Sequence, residues 1–120
     1  MKVYVGIRQT NSHIYMAALN SQGKTVLKSF LPSSCPPQAI INALEAFQQA
    51  FCASLRITTC LEKDLQQSLL TYLQKKFHFV RPLDSSVYYR TDFFPEEEPY
   101  APADPYSDAI LLAILDSLDQ

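Results

Sequence analysis

Three carboxylates stand where a metal-dependent site would want them. Glu62 follows directly on a predicted strand, and Asp104 and Asp108 open a predicted C-terminal helix. Gathered at one edge of a sheet, such oxygens suit two-metal phosphoryl transfer. Two Mg²⁺ sit about 4 Å apart, one activating water and the other stabilising the leaving oxygen. Each residue also has a plainer reading. Glu62 equally reads as a solvated acid that starts the next helix, Asp108 as a first-turn acid complementing the helix dipole, and Asp104 as an N-cap ahead of Pro105. Asp64 is the available substitute ligand.

The remaining reactive residue types suggest less. His13 and His78 lie in predicted strands with no partner motif, which favours surface or satisfied-core roles. Ser12 and His13 are adjacent, so in a strand their side chains point to opposite faces, which disfavours a nucleophile–base pair. Cys35, Cys52 and Cys60 are odd in number and lack a CxxC spacing, so reduced thiols are expected rather than disulfides or a zinc site.

The elements that must position these groups are legible from periodicity. Val3, Val5 and Ile7 alternate with Lys2, Tyr4, Gly6 and Arg8, the signature of a strand. Residues 13–19 and 25–31 read as two further strands, joined by a turn at 20–23 in which Gly23 supplies a positive φ. Two prolines, Pro36 and Pro37, open a helix over 37–52, with Ile40, Leu44, Phe47 and Phe51 on one face. A β-branched strand at 55–61 follows, then a helix over 64–76 marked by Leu65, Leu69, Tyr72 and Leu73, and a short strand at 77–81 stopped by Pro82. Residues 83–103 change character to an extended acidic, proline-rich segment. The final helix starts at Asp104-Pro105 and carries Ile110, Leu111, Ile114, Leu115 and Leu118 as its apolar stripe.

Bulk properties bound the function. The 120 residues are nearly half hydrophobic and carry a formal charge of −2, which predicts a single packed domain over 1–120. With glycine only at positions 6 and 23, a glycine-rich phosphate loop is excluded. The acid balance argues against a strong general nucleic-acid binder but leaves room for a small basic patch. No signal peptide or membrane-spanning run is read, and the expected location is cytoplasmic.

A three-stranded meander followed by helix, strand, helix, strand, helix has few good architectures, and the ribonuclease H-like fold is one of them. The expected fold is α/β, with a mixed five-stranded sheet whose first three strands are antiparallel. The sequence also resembles DEDD-type transposases and Piv-like invertases in the order of its blocks. Gly6-Ile7, a polar break and Ser12-His13 are similar to the family's opening, Glu62 after a strand to its Glu block, and Asp108-Ala109-Ile110-Leu111-Leu112-Ala113 to its Asp-Ala helix. Holliday-junction resolvases share a similar helix.

The resemblance implies a catalytic edge of Glu62, Asp104 and Asp108, with Mg²⁺ or Mn²⁺ on Glu62 and Asp108 if the site is active. It also implies that the first catalytic Asp falls on Arg8, where a guanidinium replaces the bridging carboxylate. The family's paired Asp residues lie three apart, while Asp104 and Asp108 lie four apart. The reading is therefore a degenerate transposase- or resolvase-like module without a cofactor, in which Arg8 pairs with Glu62 or Asp108. It acts by weak binding of DNA or RNA, or of a protein partner. The alternatives are an active Mg-dependent nuclease using Glu62, Asp104 and Asp108, and a protein-interaction domain using the acidic aromatic segment Tyr88–Tyr100.

Overall fold

The computed structural model describes residues 2–10, 12–52, 54–77, 79–82, 106, 109–110 and 112–114. Seven elements follow in order: β1 (Lys2–Gln9), β2 (His13–Leu19), β3 (Thr25–Pro32), α1 (Pro37–Phe51), β4 (Ser54–Cys60), α2 (Lys63–Lys76) and β5 (Phe79–Pro82). They form one five-stranded sheet in the order β3-β2-β1-β4-β5. β1, β2 and β3 are antiparallel neighbours, whereas β4 lies parallel to β1 and β5 parallel to β4. The mixed α/β sheet expected from the sequence is the one observed.

Local chemistry accounts for the joints. The β2–β3 turn is built on Asn20, whose Oδ1 accepts the N–H groups of Gln22 and Lys24 at 2.9 and 3.0 Å. Gly23 completes it at φ 82°, a left-handed conformation that costs glycine little. Pro37 takes the first position of α1, where a missing N–H is harmless, and the helix ends at Cys52 in a left-handed conformation. Lys75 and Lys76 close α2 against the negative end of its dipole. Element ends differ from the sequence expectation by one or two residues, as at β5, which starts at Phe79 rather than residue 77. Pro82 belongs to β5 instead of stopping it; β5 ends the strand order of the sheet, a position that tolerates proline.

The two sheet faces are packed differently. Val3, Val5 and Ile7 of β1 join Ile14, Met16, Leu55 and Ile57 under Ile40, Leu44 and Phe47 of α1 and Leu69 and Leu73 of α2. Full burial of each large aliphatic side chain contributes roughly 2 kcal/mol. Tyr72, placed by its spacing on the buried face of α2, is instead 58% exposed, because Leu69 and Leu73 alone meet the core squarely.

On the opposite face the helical residues 109–110 and 112–114 cross β1. Their approach is close enough that a Cβ on Gly6 would lie 1.8 Å from the Ala109 carbonyl oxygen. The residues buried there are Ala109, Leu112 and Ala113, with Ile110 and Ile114 packed more loosely beside Tyr4 and Leu19. Ile110 and Ile114 of the expected stripe thus pack on this face, and the alanines beside them are buried because contact at this distance favours alanine over larger side chains. Leu111, Leu115 and Leu118 fall outside the described side chains, as does segment 83–103.

Candidate functional site

β1 ends in the residues that define the site. Arg8 is only 4% exposed, and the register sets it between Cys60 on β4 and Tyr15 on β2. Its Nη1 donates to Cys60 Sγ at 3.1 Å. Next to it, Gln9 Oε1 accepts the backbone N–H of Glu62 at 2.8 Å, tying the end of β1 to the start of α2. Gln66 closes the same corner from the helix side. Its Oε1 accepts from Thr59 Oγ1 at 3.0 Å and from the Leu61 N–H at 3.2 Å. These two glutamines fix the edge, and nothing in their spacing singled them out.

Arg8 and Glu62 therefore lie at one end of the paired strands β1 and β4, but their side chains are not joined. Glu62 is exposed at the N-cap of α2, and among the described residues no ion pair links it to Arg8. Its carboxylate faces solvent while the guanidinium is turned onto a thiol within the sheet. Asp104 and Asp108 lie outside the described residues, and so does Tyr88–Tyr100. Asp64 is exposed in the first turn of α2. Among the described residues no three His, Cys, Asp or Glu side chains gather in a way that could hold a metal. Among the described residues, the groups at the end of β1 are the Glu62 carboxylate and the Gln9 amide beside a buried guanidinium, whose positive charge disfavours a divalent cation.

Ser12 and His13 do meet, contrary to the expectation from strand geometry. His13 Nδ1 lies 2.9 Å from Ser12 Oγ. Ser12 precedes β2 in a bend, so the alternation of a strand does not apply to it.

Cross-strand register reveals a further pattern. None of the five strands contains Asp or Glu. Lys2, Arg8, Lys28, Arg56 and Arg81 are half of the chain's ten lysines and arginines, and the pairing places all five on the face that carries Gly6. One row across the sheet reads Lys28, Ala17, Gly6, Thr58, Arg81, and the next reads Phe30, Tyr15, Arg8, Cys60. Aromatic rings sit among these charges. His13 lies 5.6 Å from Tyr15 and 5.5 Å from Phe30, Tyr15 meets Tyr106 at 5.2 Å, and Lys28 Nζ is 5.4 Å from the Tyr106 ring centre. At the other edge the Arg56 guanidinium lies 4.1 Å from the Phe79 ring.

The strand order, the parallel addition of β4 and β5, and a helix on each face define a ribonuclease H-like fold. Comparison of structures agrees. RuvC of T. thermophilus, solved in complex with a Holliday junction substrate, superposes with a TM-score of 0.57 at 12% identity, covering 95% of this chain and 91% of that one. A ROK hexokinase from Thermus thermophilus matches with a TM-score of 0.45 at 12% identity, over 68% of this chain and 33% of its own. No family model matches the sequence, and no curated protein matches it.

Proposed function

We propose that this chain is a degenerate, resolvase-like ribonuclease H-fold module that acts by binding nucleic acid rather than cutting it. The observation that carries the reading is the charge distribution on the sheet. On the face that carries Gly6, Lys2, Lys28 and Arg81 are exposed around the crossing helix, Arg56 is half-buried and Arg8 is sealed beneath. Such a face suits the phosphate backbone, whose contacts with Lys and Arg release counterions. Arg8 stands at the place where the resemblance to DEDD-type transposases puts the first metal-binding Asp. Glu62, Asp104 and Asp108 are then vestiges of an acidic edge whose metals have been lost. The RuvC neighbour was solved with a branched DNA on the same fold, which supports nucleic acid as the class of ligand.

The test is a fluorescence-anisotropy titration of single-stranded, duplex and four-way-junction DNA across salt concentrations, run beside a cleavage assay with Mn²⁺. Binding with a log–log salt slope of about −2.7, as about three phosphate contacts require, is expected with no cleavage product. Micromolar Mn²⁺ binding that Glu62→Gln abolishes, or metal-dependent cleavage, overturns the degenerate reading in favour of an active nuclease. Absence of any DNA or RNA binding overturns the nucleic-acid reading and leaves the protein-interaction domain.

A further inference from the structure

Where β1 passes into β2, a hydroxyl rests against an imidazole, and the nucleic-acid reading uses neither. Ser12 Oγ lies 2.9 Å from His13 Nδ1, within the reach that proton transfer needs. The backbone that sets this contact is pinned from two sides. Thr10 Oγ1 accepts the His13 N–H at 3.1 Å and donates to the His13 carbonyl at 3.0 Å, and the Thr10 N–H donates to that same carbonyl at 2.8 Å. Beyond the end of β3, the Ser33 N–H donates to the Ser12 carbonyl at 3.1 Å. The imidazole is flanked by rings as well. Tyr15 lies tilted beside it at 5.6 Å, and Phe30 meets it edge-on at 5.5 Å. His13 is therefore half-buried, while Ser12 is open to solvent.

We infer that Ser12 is an activated nucleophile with His13 as its general base, and that it accepts an acyl group from an activated ester or thioester. A serine hydroxyl is a weak nucleophile alone, and an adjacent base within hydrogen-bond reach is the usual means of activating it. In the tautomer that carries its proton on Nε2, the Nδ1 lone pair of His13 takes the Ser12 proton. Ser12 Oγ bonds to the acyl carbon as the bond from that carbon to the leaving oxygen or sulfur breaks. His13 then gives the proton to the leaving group, so the products are an acyl-serine and an alcohol or thiol, with the imidazole neutral again. Because the strands and Thr10 arrange the pair in advance, no ordering is needed when a donor arrives. Mere proximity would leave Ser12 as inert as Ser21 and Ser34, which are also exposed.

The full chain is treated with p-nitrophenyl acetate. Release of p-nitrophenolate is followed, and acetylated residues are located by peptide mass spectrometry. Ser12 is expected to react about a hundredfold faster than Ser21 or Ser34, the gain that a positioned general base supplies. Ser12→Ala should remove that fast release. His13→Phe keeps a ring beside Tyr15 and Phe30 but has no base, and it should bring Ser12 down to the rate of Ser21. Ser12 is exposed and its side-chain contact is with His13, so Ser12→Ala should keep the parent circular dichroism and thermal midpoint. Release that is unchanged in Ser12→Ala overturns the inference, whether the parent reacts through another group or not at all. So does a folded His13→Phe variant in which Ser12 reacts as fast as in the parent. Neither result touches the nucleic-acid reading, which the anisotropy titration tests by itself.

Discussion

At Arg8 a guanidinium is sealed into the end of a strand. Its nearest described partner is a thiol, Cys60, itself buried. The three cysteines occupy different surroundings, which makes them separate probes of this edge and of the loops. Cys52 is exposed at the end of α1, Cys35 is half-buried ahead of it, and Cys60 is enclosed. Burial pushes the Cys35 thiol up, and its backbone hydrogen bond only partly opposes this. The fold therefore favours the protonated thiol. That contribution is complete below the unfolded-state pKa and is lost as pH rises through the higher folded-state value, in the alkaline range. Iodoacetamide labelling read by mass spectrometry should modify Cys52 first, Cys35 more slowly with its rate rising only at higher pH, and Cys60 last. Labelling of Cys60 as fast as Cys52 in the folded chain contradicts the closed edge described here. At this scale the sequence singled out Arg8 and suggested Glu62 or Asp108 as its partner, whereas its described hydrogen bond is to Cys60. Arg8 was visible from the Gly6-Ile7 block, but its contact with Cys60 depends on strand register, which spacing does not give.

Among the elements, β1 is the one most tightly constrained from both sides. Its aliphatic residues face α1 and α2, and its small residue faces the crossing helix. The two glycines are needed for different reasons, and substitution separates them. Gly6→Ala should destabilise the chain by about 3 kcal/mol, because the added methyl meets backbone that can yield only if the helix backs away. Gly23→Ala meets nothing within 4 Å and should cost only about 1 kcal/mol, for its positive φ. Urea denaturation of both variants checks the order; equal losses would mean that the helix does not rest on β1. The strands and both long helices were legible because each buries one regular face, and periods of 2 and 3.6 survive in their side chains. The crossing helix was legible as a helix, but the burial of Ala109 and Ala113 against β1 was not. Its contact face is set by Gly6, a residue far away in sequence, and by alanines that look unremarkable in a hydrophobic pattern.

For the whole molecule the question is whether net charge or its placement would govern the proposed nucleic-acid binding. The chain carries a net −2, while Lys2, Lys28 and Arg81 are exposed on one face of a sheet whose five described strands contain no acid. A global-charge account predicts poor association with any polyanion, and equal damage from any two added negative charges. A local account predicts that position decides, because exposed charges farther apart than about 8 Å are largely screened at physiological ionic strength. The double variant Lys28→Glu, Arg81→Glu reverses charges at the two ends of one row of the sheet. Lys63→Glu, Lys75→Glu makes the same change in net charge on exposed positions of α2. The first pair should weaken DNA binding strongly and flatten its salt slope by about 2, one unit for each lost phosphate contact. The second pair should leave affinity within about twofold, since two surface reversals far from the bound phosphates are mostly screened. Equal losses from the two pairs would show that binding follows overall charge, and the sheet face would lose its claim to be the interface.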